Sequence, residues 1–486
     1  MPETYVGITI GPISDLLENV SKPAGLWGGS YLFSWAARRI CERLLQSGVK
    51  REDFLSPYLE AEEKGGQPTV KQELPGIGLF HDRVIFKKAE TTGVTLAREV
   101  FQEVRKEIDQ GLRQPKTSIG GGTSAATGKD PGFSEFVNHF FQFYAVEEKI
   151  ADGESPIGVL SRLLDAYELQ HAFPESASNP ILALLDNKNL KESFLAEDCG
   201  KDNCPVLEPG PHGQPVVRGL QSIAQANNLP AAAMKKFEYI AIVYADGDSM
   251  GSLFGRLTDT AEIAALSRVC QKFAVEAARR IRAYGGVPIY AGGDDLLFLA
   301  PIENAGGAAL PDEQDAQFAP EWDANGRTTV FHLLASLKDC FIRHTGKTAE
   351  PILTRLKNQN PPTLSFGALL MFYKYPLYEG LRQAQELLES VKKNVPGKNA
   401  TKVRLLKHSG QVAECLLPGG MDTLGDKTGE LVRGLFRTTP NKADARGNET
   451  FLKSVSVKLA NFRALFHLAL KDSNPTALSN AFRQYV

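Results

Sequence analysis

No stretch of the 486-residue chain offers the roughly 18 consecutive apolar residues that a membrane-spanning helix needs. The opening residues, MPETYVGITIGP, hold neither a basic segment nor a long apolar one, so no signal peptide is expected. Cysteine is scarce: Cys41, Cys199, Cys204, Cys270, Cys340 and Cys415 are scattered, several of them inside apolar helical patterns. That usage speaks against a disulfide framework and suits a reducing compartment, so a cytoplasmic location is expected. An excess of charge of one sign is also missing. At a formal net charge of −2 no global basic field recruits nucleic acid, and any polynucleotide contact must be local or made through a partner. What is present, 42% hydrophobic and 23% charged residues, is the balance of a soluble globular protein, and the length calls for two or three domains.

Two halves can be told apart. The first opens with a strand-like run, Tyr5 to Ile10, broken by Gly11-Pro12, and continues into a long helix from about Trp27 to Leu45. Arg83 to Phe86 reads as a strand, Leu96 to Leu112 as a helix, and Phe133 to Ile150 and Val159 to Leu169 as further helices. Between them, Thr117 to Lys129 is a glycine-rich loop. From about Pro174 to Pro230 the composition turns polar and irregular. The second half is patterned more sharply. Glu238 to Tyr244 is a buried strand, Thr260 to Tyr284 a helix, and Val287 to Tyr290 and Leu296 to Leu299 are strands around an AGGDD turn. Thr328 to His344 is a helix, Leu364 to Phe372 a strand, Leu377 to Lys393 a helix and Lys402 to Leu406 a strand. The order is βαββαβ with one extra helix and strand, a ferredoxin-like unit. The expected class is α+β: two ferredoxin-like domains, 1–173 and 231–415, an irregular connector, 174–230, and a helical bundle, 416–486.

Two acidic motifs follow buried runs in this second unit. Asp246, in YADGDSMG, is expected just past the end of the first strand, and Asp294 and Asp295, in YAGGDDLLF, in the turn between the next two. The strand order brings these places together at the centre of a sheet. Phosphoryl transfer from a nucleoside triphosphate to a 3′-hydroxyl needs charge neutralisation and in-line geometry, which two divalent ions held by rigid carboxylates supply. Gly247, Gly251, Gly292 and Gly293 leave room for a nucleotide, and the amides of Ser249, Met250 and Gly251 could receive phosphate oxygens. A lone GGDD or DGD is often a solvated turn. Both at strand ends within one unit point instead to a cation site with Asp246, Asp294 and Asp295 as catalytic ligands.

At these residues the chain resembles the large palm-domain subunit of type III CRISPR effector complexes, which makes cyclic oligoadenylates from ATP. DGDSMG, YAGGDDLLF, SFGALLMFYKYPLYEGLRQAQELLESVKK and GKNATKVRLLKHSG resemble the second palm of that family. IGPISDLL, GLWGGSYLFSWAARRI and LPGIGLFHDRVIF resemble the first, degenerate palm. The resemblance implies two Mg2+ or Mn2+ ions on Asp246, Asp294 and Asp295, with Asp248 either a ligand of the second metal or a group supporting the ligands from behind, and ATP as substrate. It implies that Lys392, Lys393 and Lys398 lie near the triphosphate and that Asn399 completes their turn. It also implies type III subunits, crRNA and target RNA as partners, with a stand-alone enzyme as the other possibility. A nuclease domain opens many members; here the resemblance starts at the first palm and His81-Asp82, without companion histidines, reads as structural, so DNA cleavage by these residues is not expected.

Rival readings are a GGDEF-like synthase of a cyclic dinucleotide and a scaffold subunit with a silent palm. GGDD in place of the GGDEF pattern speaks against the first, and intact carboxylates against the second. Gly122 to Lys129 departs from a phosphate-binding loop because Asp130 stands where a Ser or Thr is needed. Cys199, Cys204 and His212 lack a fourth ligand, so zinc is not expected. Trp27, Tyr31 and Trp35 recur at helical spacing and are read as core, although Trp27 with Gly28-Gly29-Ser30 could line a pocket between the palms.

Overall fold

The structure is a computed structural model that describes residues 2–18, 20–89, 93–113, 131–169, 181, 185, 190–191, 193–210, 214–225, 239–305, 327–356, 361–407, 410 and 412–419. All of these lie within one compact unit, Met1–Asp422. The glycine-rich loop, much of the connector, His212 and residues 420–486 of the expected C-terminal bundle fall outside the described residues, whereas residues 416–418, expected to open that bundle, belong to a strand. No helix among the described residues is long and apolar enough to cross a membrane.

Two sheets organise the unit. The first is built from β1 (Glu3–Gly11), β2 (Phe54–Ser56), β3 (Arg83–Lys87) and β4 (Gln142–Ile150), in the order β2-β3-β1-β4 with every neighbouring pair antiparallel. Helix α1 (Pro23–Gln46) follows β1, α2 (Val94–Arg113) follows β3, and α3 (Pro156–Glu168) packs on β4. One expectation fails here. The stretch read as a helix from Phe133 to Ile150 is a helix only over Pro131–Phe140, after which Gln142–Ile150 pairs with all nine residues of β1. Its aromatic and β-branched residues suit a pleated surface, and the long partner strand decides the conformation.

The second sheet holds β5 (Tyr239–Asp248), β6 (Val287–Gly292), β7 (Asp295–Pro301), β8 (Thr363–Phe372), β9 (Ala400–Leu406) and β10 (Val412–Pro418). Their order is β6-β7-β5-β8-β9-β10, with β8 and β9 parallel and the other pairs antiparallel. Numbered within each half, the four strands of the first sheet and the first four of the second share one order, second-third-first-fourth. Strand β5 lies between β7 and β8, and its run Ile240 to Val243 is fully buried, as a central strand covered on both faces requires. Helix α4 (Thr260–Ala283) is capped by Asp259, whose carboxylate accepts from the Ala261 amide at 2.8 Å. Helix α5 (Val330–Arg355) packs on α4, and α6 (Leu377–Asn394) lies on β8 and carries the chain to β9. Buried Leu381, Ala384, Leu388 and Val391 recur at helical spacing on α6, which fixes the face it turns to the sheet.

The halves meet through α1. Trp27, Tyr31 and Trp35 are buried in the core, as their spacing predicts, and they are not among the residues that line the cavity between the two halves. Trp27 Nε1 donates to the Gly76 carbonyl at 2.8 Å, and Ser30 Oγ donates to Ile289 O on β6 at 3.3 Å. The segment after Gly76 lies along the free edge of β6, where the Ala291 amide donates to Gly78 O at 2.9 Å. These contacts tie the edge of the second sheet to the first half.

Candidate active site

Strand β5 runs four residues beyond the expected Tyr244, so Asp246 sits within a strand and not past its end. Ser365 on β8 lies opposite Asp246 in the register, and Thr363 opposite Asp248. The polar DGD keeps its strand pairing because β8 offers hydroxyl groups to the Asp248 carboxylate. On the other side, β6 and β7 close in a tight turn at Gly293, whose φ of +68° suits a residue without a side chain. Asp295 is the first residue of β7 and Asp294 the last of the turn. The Gly247 amide donates to Asp294 O at 3.2 Å, fastening the turn to β5.

One carboxylate oxygen each from Asp246, Asp294 and Asp295 comes within 4.8 Å of the others, and no other trio of this kind occurs among the described residues. Enclosure by protein is the first cause that pushes the Asp294 and Asp295 carboxyls above the usual carboxylate range. For Asp294 the next cause is Asp246; for Asp295 it is Asp294 and then Asp246. Three hard oxygen donors that repel one another fit a divalent cation, whose charge would offset that repulsion.

The other predicted residues divide. Gly247 and Gly292 are buried beside the carboxylates, and a Cβ on Gly247 would lie 2.6 Å from Asp294 Oδ2. Ser249 is left-handed at φ 66°, and opens the short helix Met250–Phe254. Met250 and Gly251 reach the cavity described below. Lys392 Nζ lies 2.7 Å from Asp246 Oδ1, whereas Lys393 extends into solvent and pairs with Glu389 at 2.8 Å. Lys393 is therefore not brought to the carboxylates. Lys398 is left-handed at φ 56° in the turn before β9. Asp248, expected as a further metal ligand, does not belong to the trio; it is 2% exposed and filled with donors from its own surroundings.

A cavity of about 1010 Å3 opens beside Asp294 and Asp295 and is walled by both halves. Its second-half wall includes Ser267, Cys270, Gln271 and Tyr290, and its first-half wall includes Tyr58, His81, Asp82, Arg83 and Arg162. Tyr290 was legible only as a strand residue, yet it lies near Asp294, Asp295 and Asp82, and burial followed by Asp295 raises its phenol well above the ordinary value. His81 retains the structural role read from the sequence, bonded to Ser56 Oγ at 3.0 Å, but it also lines the cavity. No spacing signal announced the first-half wall, because it is assembled from a loop, a strand start and a helix far apart in sequence. Ser155 Oγ donates to Phe254 O at 2.9 Å and closes one rim.

A family model for the Cas10/Cmr2 second palm domain matches residues 239–402, and one for the N-terminal part of the CRISPR-associated protein Cmr2 matches residues 5–114. The chain belongs to the Cas10/Cmr2 family. The Cas10/Cmr2 palm match opens on the first residue of β5 and ends in β9, so it contains all three carboxylates and Lys392. Among curated proteins, the CRISPR system Cmr subunit Cmr2 of Pyrococcus furiosus is 29% identical over 198 residues, 36% of this chain and 19% of that protein. Among solved structures, a Csm1-Csm4 cassette in complex with cA4 matches at 12% identity and TM-score 0.49, covering 99% of this chain and 64% of the other. A Csm1-Csm4 subcomplex of the type III-A CRISPR-Csm interference complex matches at 13% identity and TM-score 0.46, covering 98% and 65%. The chain thus spans less than two thirds of the length of each of these relatives.

Proposed function

We propose that the chain is a metal-dependent nucleotidyltransferase that converts ATP to cyclic oligoadenylates in CRISPR-type antiviral defence, on two ferredoxin-like palms followed by a helical C-terminal domain. The observation that carries this reading is the convergence of Asp246, Asp294 and Asp295 at the head of a cavity walled by both halves, in a chain of the Cas10/Cmr2 family. Two Mg2+ or Mn2+ ions bound there would activate a 3′-hydroxyl and neutralise the triphosphate. The chain supplies the remaining requirements. Asp294 and Asp295 share a rigid turn fastened to the strand of Asp246, which fixes the three ligands relative to one another. Gly247, Gly292 and Gly293 keep side chains out of the space above the turn, Met250 and Gly251 line the cavity beside it, Ser249 opens their helix, and Lys398 lies in the turn before β9. The cavity has room for a second nucleotide whose hydroxyl is presented to the first, so orientation by two walls contributes part of the acceleration.

As partners we propose other type III subunits with crRNA and target RNA. The test is incubation of the purified protein, alone and with such partners, with each labelled nucleoside triphosphate and Mg2+ or Mn2+, the product being identified by mass spectrometry. Cyclic oligoadenylate is expected, and Asp294→Ala with Asp295→Ala should abolish it while the protein stays folded. A guanine product points to the cyclic-dinucleotide reading. No turnover with partners and target RNA points to the silent scaffold, and synthesis that survives the double substitution refutes the site.

A further inference from the structure

Asp248 lies two residues from Asp246 on the same strand, and its environment is unlike that of the trio. It is 2% exposed. Thr363 Oγ1 donates to its Oδ2 at 2.7 Å, Ser365 Oγ approaches both oxygens at 2.9 and 2.7 Å, and the Asn399 amide donates to Oδ2 at 2.9 Å. Lys392 Nζ reaches Oδ1 at 3.2 Å. A carboxylate offers about four lone-pair positions, and here they all face donors of the protein itself. The Asn399 amide is aimed by a turn in which Lys398 and Asn399 are both left-handed, at φ 56° and 48°. Non-glycine residues hold that conformation only where the surroundings enforce it.

Lys392 makes the complementary set. Besides Asp248 it pairs with Asp246 Oδ1 at 2.7 Å and donates to the carbonyls of Asp246 at 3.2 Å and Gly247 at 3.0 Å. Every one of these contacts falls on the segment from Asp246 to Asp248, so the ammonium ties that stretch of β5 to α6. Its side chain is 16% exposed.

Resting on the nucleotidyltransferase reading, we infer that Asp248 is not a metal ligand but the buried anchor of a positioning pair, holding Lys392 so that Lys392 fixes the backbone and carboxylate of Asp246 for the metal. The donors on β8 and in the turn before β9 thereby act on the site through Asp248. Groups that orient ligating carboxylates typically change metal affinity by roughly 10- to 100-fold when removed.

Mn2+ binding to the nucleotide-free protein, followed by electron paramagnetic resonance, separates the possibilities. Thr363→Val with Ser365→Ala changes no charge and removes hydroxyls that bond to Asp248. It is expected to weaken Mn2+ binding by about 10-fold, and Asp248→Asn by at least as much. This charge-neutral double variant also stands in for Asp248→Asn should the latter fail to fold. Lys392→Met is expected to lower kcat with KM for ATP unchanged. Unaltered Mn2+ affinity in the Thr363/Ser365 variant overturns the inference, as does loss of all binding in Asp248→Asn alone, which would make Asp248 a ligand. A raised KM with unchanged kcat in Lys392→Met would assign that lysine to the triphosphate and overturn it as well. Failure of the unaltered protein to bind Mn2+ would instead remove the nucleotidyltransferase reading, and this inference with it.

Discussion

Gly247 packs directly against the Asp294 turn, and replacing it with alanine tests how strictly the carboxylates must be placed. A Cβ there would lie 2.6 Å from Asp294 Oδ2, 2.7 Å from Asp294 Cβ and 2.8 Å from Met250 Cγ. Ordinary carbon contacts are about 3.5–4 Å, so relief requires a movement of roughly an ångström. Rotation of the carboxylate removes the first clash but not the second, because the Asp294 Cβ is fixed to the turn. The turn in turn is held to Gly247 by the 3.2 Å amide bond to Asp294 O. The strain therefore moves the turn away from β5 and opens the trio. Overpacking of this kind costs about 1–3 kcal/mol, which a domain of ordinary stability tolerates, and a displacement of about 1 Å can cost a hundredfold in rate. Gly247→Ala is expected to remain folded by circular dichroism, to bind Mn2+ more weakly and to lose about 100-fold in ATP turnover. Full turnover with unchanged Mn2+ affinity would show that the turn can shift without consequence and would refute the argument that its spacing matters.

Gly158→Ala probes the rim between the halves: its Cβ would stand 2.9 Å from Gly255 O and 3.1 Å from Gly255 Cα, both backbone atoms. A loss of about 1–3 kcal/mol in urea unfolding together with reduced turnover is expected, and no change in either would mean that the rim does not close the cavity. Trp27→Phe removes the donor to Gly76 O and is expected to lower stability by about 1–3 kcal/mol; equal unfolding midpoints would show that the bond is dispensable. His81 and Asp82 give opposite pH dependences. Burial, assisted by Arg83, pushes His81 down to about 4, so its contribution is present above about 6.5 and is lost as pH falls towards 4. Burial pushes Asp82 up to about 6 against the pull of Arg83, so its contribution is present below about 3.8 and is lost as pH rises through 6. His81→Gln is expected to lose less stability than the parent on acidification from pH 7 to 4.5, and Asp82→Asn less on going from pH 4 to 7; parallel curves for parent and variants would contradict both shifts.

The second half was legible because its strands are long apolar runs and its helices have one buried face, so most of its elements were found to within a few residues, although the helix read as Thr328 to His344 runs from Val330 to Arg355. The acidic motifs were legible for the same reason: buried strands that end in carboxylates are conspicuous. What escaped was decided by pairing. The run Gln142–Ile150 holds apolar residues at spacings that suit a helix, and only the nine-residue partner β1 makes it a strand. Strand β10, with Glu414 bonded to Lys402 and Arg404 on β9, was unread because its stabilising partners lie on a neighbouring strand. For Asp248 the sequence left two roles open, metal ligand or support for the ligands, since nothing in DGDSMG tells that Thr363, Ser365 and Asn399 will surround it.

The shared strand order shows which residues of the first half stand in the places of the second half's carboxylate trio. In the second sheet the Gly247 amide bonds to Asp294 O, and in the first the Ile10 amide bonds to Asp82 O at 3.1 Å, just before the third strand in each case. The flanking positions then correspond: Thr9, opposite Arg83 in the register, stands where the second sheet has Asp246 and Asp295. Of three carboxylates only Asp82 remains. Arg83 brings a positive charge to the place of a ligand and is itself bonded to Asp165 at 2.6 Å and Glu168 at 2.9 Å, while Thr9 Oγ1 donates to Glu168 at 2.6 Å. A guanidinium at that place repels a divalent ion. Mn2+ binding should therefore vanish completely in the Asp294→Ala, Asp295→Ala protein. Residual binding that disappears only when Asp82→Asn is added would show that the first half holds an ion despite Arg83, and the correspondence between the two sheets would not then account for the asymmetry.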